Sequence, residues 1–225
     1  MTEISMHKPI LDLNDRLAEE NRALLEEQGI FMVNMLASPG AGKTSTILAT
    51  IQALREEFSI AVIEGDIAHD IDAQRIKEQG IPAVQINTGG ACHLESRMVR
   101  QALDTLDLKN LDLVIVENVG NLVCPTDFYL GEDTKVMILS VPEGHDKPLK
   151  YPGVFQAAEA ILLNKIDTMP AFDFDERQFR LDAKRINPQA LIFPISATQG
   201  RGIKTWTQWL ARQVESKRQE SRKGS

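Results

Sequence analysis

The sequence predicts an α/β domain: a mostly parallel central sheet flanked by helices, with one extra helix at the N-terminus. Three observations predict it. Seven apolar runs rich in Val and Ile recur along the chain, helical patterns lie between most of them, and the runs are nearly unbroken, as strands covered on both faces must be. Strand and helix in alternation imply right-handed βαβ crossovers, which make the strands parallel and place ligands at their carboxyl ends. The 225 residues, 43% of them hydrophobic, suffice for one sizeable core.

The elements follow in order. Residues 12–27, DLNDRLAEENRALLEE, form an amphipathic helix whose Leu13, Leu17, Leu24 and Leu25 need a partner surface, which the chain's own domain supplies. Strands are expected at 30–36 (IFMVNML), 59–65 (SIAVIEG), 82–88 (PAVQINT), 111–117 (LDLVIVE), 134–141 (TKVMILSV), 160–164 (AILLN) and 190–195 (ALIFPI). Ile47, Ile51, Leu54 and Phe58 precede the second strand at helical spacing, and Val99, Leu103 and Leu106 do so before the fourth. Residues 1–29 are thus an N-terminal extension, 30–216 the domain, and 217–225 (KRQESRKGS) a frayed basic tail.

Charge and composition exclude several partners. A formal net charge of -7 argues against nucleic acid, whose binding rests on clustered Lys and Arg. No apolar run approaches the roughly 20 residues of a membrane span, and MTEISMHKPI lacks the regions of a signal peptide. A cytoplasmic protein is expected. In a reducing compartment Cys92 and Cys124 are left for packing, metal binding or redox chemistry.

Directly after the first strand stands 37-ASPGAGKTST-46, followed by a helix, the context of a phosphate loop. The pattern is G-x-x-x-x-G-K-[ST], with Ala37 in place of the first glycine; Gly40, Ala41 and Gly42 still let backbone N–H groups wrap a phosphate. Lys43 would reach the β- and γ-phosphates, the Thr44 hydroxyl would ligate Mg²⁺, and Ser45 is expected to bind the nucleotide with them. A second signal is 164-NKID-167 at a strand end. Asp167 can accept from both N1–H and the exocyclic amine of guanine, whereas adenine would set a lone pair against the carboxylate. Asn164 would buttress that loop and the Lys165 stem would lie along the base. Farther on, Ser196 and Ala197 in 195-ISATQGRG-202 fit a loop that closes on guanine through the Ala197 N–H. At the strand ends Asp66 suits a metal-bound or attacking water and Glu117 the acidic Walker B role. Asp70 and Asp72 are rivals to Asp66, though N-capping explains them as well. Gly120 could offer an N–H to the γ-phosphate and move when it leaves.

The thiols lie in 87-NTGGACHLES-96 and 117-ENVGNLVCP-125, each after a strand and on the sheet edge that carries the phosphates. Cys92 near a helix N-terminus should have a depressed pKa. A free Cys is often a small core hydrophobe, but Pro125 and the turn around Asn121 argue against burial and favour a ligand role for Cys92, His93 and Cys124. Two thiolates and an imidazole fit Ni²⁺ or Zn²⁺ and leave a coordination place open.

The set ASPGAGKTS, GGACHLES, ENVGNLVCP, EGHDKPLKYP and NKID resembles the HypB family, hydrogenase-maturation GTPases that help insert nickel into nickel-iron hydrogenases. The resemblance runs from about Ile30 to the C-terminal helix. It implies a P-loop NTPase fold, GTP hydrolysis to GDP with Mg²⁺, and Cys92, His93 and Cys124 as ligands for nickel, or zinc at the same place, at a GTP-responsive homodimer interface. It also implies service to a hydrogenase large subunit together with a partner nickel chaperone. Some members carry an N-terminal cysteine motif or a histidine-rich stretch; the first 29 residues here hold no Cys and only His7. Three rivals stand beside this reading. A urease-accessory GTPase is disfavoured by ENVGNLVCP and the cysteine pair, a small-acceptor kinase by NKID, and a metal buffer with a merely structural nucleotide site requires an absence of turnover. No glutamine follows Gly120 to orient water, so hydrolysis by the isolated protein should be slow.

Overall fold

The computed structural model describes residues 7–66, 76 and 78–224, with side chains from 11–65, 76 and 78–222. Its strands are β1 (Phe31–Ala37), β2 (Ile60–Asp66), β3 (Ala83–Asn87), β4 (Leu113–Glu117), β5 (Thr134–Ser140), β6 (Ala160–Asn164) and β7 (Leu191–Pro194). They form one seven-stranded sheet in the order β3-β2-β4-β1-β5-β6-β7, every pairing parallel. Each expected strand is present within a residue or two of its expected ends.

The apolar runs are unbroken because helices cover both faces. Alternate residues of β1, such as Val33 and Met35, join Ile115, Ile138 and Leu162 under α2 (Lys43–Leu54) and α8 (Ile203–Gly224). The intervening positions face the other way. There Met32, Ile63 and Val116 meet Leu25 of α1 (His7–Gln28) and Val99 and Leu103 of α3 (Ser96–Leu103). Leu139, Ile161 and Leu163 meet Phe155 of α6 (Pro152–Ala157) and Phe179 of α7 (Glu176–Ile186). Two four-residue helices, α4 (Cys124–Asp127) and α5 (Lys147–Lys150), sit in the loops after β4 and β5. The edge strand β3 is only half-buried.

Two details differ from expectation. The buried stripe of α1 is Asn14, Ala18, Asn21 and Leu25, whereas Leu13 is 61% exposed and Leu17 and Leu24 are half-buried. Two asparagines replace leucines in the seam because its partners are backbone groups: Asn21 Nδ2 donates to the carbonyls of Ser96 (2.9 Å) and Leu130 (3.1 Å), and Asn14 Nδ2 to that of Tyr129 (2.7 Å). Second, α8 runs on to Gly224, past residue 217 where a frayed tail was expected. Lys217 is held there by Asp133 at 2.7 Å, and Asp133 also accepts from the Met32 N–H.

Sheet order fixes the place of the site. β1 is central, with β4 on one side and β5 on the other, so the chain leaves β1 at the point where strand order reverses, the crevice that binds ligands in open α/β sheets.

Candidate functional site

The loop after β1 turns through Gly40 (φ 75) and Gly42 (φ 94), both left-handed, and α2 begins at Lys43. Gly42 caps α2 with no side-chain hydrogen bond, and its first turn holds no acidic residue. Free N–H groups and the positive end of the helix dipole are thereby aimed at one point, a ready anion site. The Thr44 hydroxyl donates to Glu117 Oε1 at 3.0 Å, so the two groups suited to Mg²⁺ stand together at the ends of neighbouring elements.

Asn164, buried at the end of β6, binds the phosphate loop to the base loops. Its Nδ2 donates to the Ala41 carbonyl (2.9 Å), while its Oδ1 accepts from the N–H of Lys165 (2.8 Å) and of Ala197 (3.2 Å). The fit leaves no space at Gly42, where a Cβ would stand 2.5 Å from Asn164 Nδ2. Lys165 is the single non-glycine residue with positive φ among the described residues (φ 59, ψ 36), a strained conformation of the kind found at binding sites. Its ammonium donates to the Gly40 carbonyl at 2.7 Å. Asp167 Oδ1 is buried with no hydrogen-bond partner among the described residues. An unpaired buried acceptor is costly, and guanine's N1–H and amine are donors of the kind it lacks. Ser196 is buried and closes its own turn, its N–H on the Arg201 carbonyl.

The metal candidates converge. One ligand atom each from Cys92, His93 and Cys124 lies within 4.8 Å of the others, and Cys92 Sγ is 3.6 Å from His93 Nδ1. The His93 ring stacks on Phe128 with centroids 3.8 Å apart. Burial lowers the His93 pKa, which favours the neutral imidazole, the form that ligates metals. Asn121 joins the two loops directly, donating to the Cys92 carbonyl (3.2 Å) and accepting from the Val123 N–H (2.9 Å). The loop from Glu117 to Cys124 also touches the phosphate loop: a Cβ on Gly120 would lie 3.1 Å from Pro39 Cγ and 3.2 Å from Pro39 N.

Residues 31–194 match the family model described as CobW/HypB/UreG, nucleotide-binding domain. The chain is 50% identical over 210 residues to the hydrogenase maturation factor HypB of Azotobacter vinelandii, a match covering 93% of this chain and 69% of that protein. A probable HypB of Methanocaldococcus jannaschii is 38% identical, with 94% and 96% covered. A crystal structure of HypB from Helicobacter pylori in complex with nickel superposes with a TM-score of 0.86 at 37% identity, covering 90% of this chain and 95% of that one. The chain belongs to the HypB family. That membership bears out the resemblance carried by the five sequence motifs, and the all-parallel sheet bears out the expected fold class.

Within this HypB fold the sequence-predicted residues fall into two linked groups. Gly40 to Ser45, Glu117, Gly120, Asn164, Lys165 and Asp167 lie at or just past the carboxyl ends of β1, β4 and β6, and Cys92, His93 and Cys124 form the second group on the segments after β3 and β4. Asp66 ends β2, two residues beyond Glu64, which is level with Glu117; its side chain, like Asp70 and Asp72, lies outside the described residues. One expectation needs correction. The Cys92 thiol is pushed up and not down, first by its hydrogen bond with Cys124 and then by burial, and α3 begins only at Ser96. The Ala197 N–H donates to Asn164 Oδ1 at 3.2 Å. Three asparagines, Asn14, Asn21 and Asn118, escaped sequence reasoning. An asparagine on a helix or just past a strand is ordinary, and their partners lie up to 115 residues away.

Proposed function

We propose that the chain binds and slowly hydrolyses GTP and carries nickel for hydrogenase maturation, its grip on the metal set by the bound nucleotide. The observation that carries this reading is the contact of Gly120 with Pro39, because it joins the loop that ends in Cys124 to the loop that would hold the phosphates. Lys43 and the N–H groups of Gly40 to Thr44 bind the phosphates, Thr44 and Asp66 hold Mg²⁺ with Glu117 beside them, and Asp167 selects guanine. Bound Mg²⁺ would neutralise charge developing on the phosphates. The thiolates and imidazole of Cys92, His93 and Cys124 hold Ni²⁺, or Zn²⁺ in its place, with a coordination position left for a second subunit in a homodimer. The nickel in the Helicobacter pylori structure supports this choice of cargo. A hydrogenase large subunit would receive it in the cytoplasm, together with a partner nickel chaperone.

Linkage requires that nucleotide and metal alter each other's affinity by one common factor. Nickel titrated into the GDP form and the form with a non-hydrolysable GTP analogue should give different affinities. Cys124→Ala should weaken nickel and flatten that difference. Equal nickel affinity in all four samples would remove the metal role of Cys124. Phosphate release faster from ATP than from GTP would remove the guanine assignment.

A further inference from the structure

The two metal-bearing loops leave different strands, so their gap has to be set by something other than chain connectivity. Asn121 spans it at the surface. Behind it a polar chain runs through the core. Leu94, next to His93, donates its N–H to Asn118 Oδ1 at 3.3 Å, and the Val119 N–H donates to the same oxygen at 2.9 Å. Asn118 Nδ2 donates to Asn34 Oδ1 at 3.2 Å, and Asn34 Nδ2 to Glu132 Oε1 at 3.3 Å. The Lys135 ammonium lies 3.6 Å from the same carboxylate oxygen and donates to the Thr126 carbonyl at 2.9 Å, two residues past Cys124.

Asn118, Asn34 and Glu132 are buried, between 0 and 3% exposed. Buried polar groups are costly unless paired, so each link holds its neighbours to one arrangement. The chain thus ties the peptide beside His93 to the helix that starts at Cys124. Asn118 stands between Glu117 and Gly120, on the loop that touches Pro39, and its side chain grips the peptide beside His93.

We propose that Asn118 is a positioning residue for metal: with Asn34, Glu132 and Lys135 it sets the gap between the Cys92–His93 loop and Cys124, and carries a shift of the phosphate-side loop into that gap. The inference rests on the reading of Cys92, His93 and Cys124 as metal ligands. Groups that orient ligands without touching metal commonly change affinity by about 10–100-fold when removed.

The test is nickel titration of the full chain, in the GDP form and with a non-hydrolysable GTP analogue, alongside the thiolate-to-nickel charge-transfer absorption. Asn118→Ala should weaken nickel by about 10–100-fold, shift the absorption, and bring the affinities of the two nucleotide states together, with GDP affinity kept. Asn118→Asp retains an acceptor for the Leu94 and Val119 N–H groups and should recover part of the loss. Lys135→Met breaks the far end of the chain at a side chain near the surface and should weaken nickel in the same direction. If Asn118→Ala fails to fold by circular dichroism, Lys135→Met decides alone. Wild-type affinity and absorption in the folded variants would overturn the proposal, provided Cys92→Ala, His93→Ala and Cys124→Ala lower nickel affinity. If those three also match wild type, the metal reading itself falls and this inference with it.

Discussion

Asp167 shows how a single carboxylate can be read twice. In the sequence its place in NKID suggests guanine; in the structure one of its oxygens is buried with no partner among the described residues. Asp167→Asn exchanges an acceptor for an amide that can present its donor to the base. GTP affinity should fall by about 1.5–3 kcal/mol, the worth of hydrogen bonds to a charged group, and calorimetric titration checks it; unchanged affinity would refute the assignment. Residues of this kind were legible because their chemistry is local, a tetrapeptide at a strand end. Asn118 was not. Nothing in ENVGN reveals that its amide reaches Asn34, 84 positions away, since that contact exists only once β1 and β4 are paired.

At the scale of elements, the strands were legible because burial on both faces leaves a continuous apolar signature, and their ends were correct to a residue or two. The N-terminal helix was found and Leu25 lies in its seam, but Leu13 faces solvent. Its leucines mark a hydrophobic stripe by periodicity, yet the seam is built on Asn14 and Asn21, which hold the backbone at Ser96, Tyr129 and Leu130. Asn21→Leu would fill the same space and leave two buried carbonyls short of a donor. A destabilisation of about 1–3 kcal/mol is expected from that orphaning. Urea unfolding measures it, and an unchanged midpoint would show that α1 docks by apolar contact alone. The C-terminal helix was cut short for a related reason: KRQESRKGS reads as solvated charge, and only the fold supplies Asp133 to Lys217 and Asp112 to Arg218.

For the whole molecule, the proposed catalysis and metal grip would share one sheet. Asn121 occupies the neighbourhood where a water-orienting glutamine would serve, and its amide is committed to the Cys92 carbonyl and the Val123 N–H. Turnover of GTP by the isolated protein should therefore be slow, on the order of 10⁻² s⁻¹ or below, as in GTPases that await a further group. Single-turnover phosphate release measures it, and a rate typical of metabolic enzymes would contradict the reading.

The contact between Pro39 and Gly120 has a consequence for how the two halves of the site communicate under different ionic conditions. It is a meeting of a ring with a bare backbone and carries no net charge on either side. In the proposed function Lys43 would attract phosphate electrostatically, and added salt would screen that attraction with a Debye length of about 8 Å at 0.15 M. Van der Waals contact is not screened. Raising the ionic strength should therefore release nucleotide while leaving untouched the ratio of nickel affinities between fully loaded GTP-analogue and GDP forms, so that the transmission behaves as a mechanical clearance and not as a charge relay.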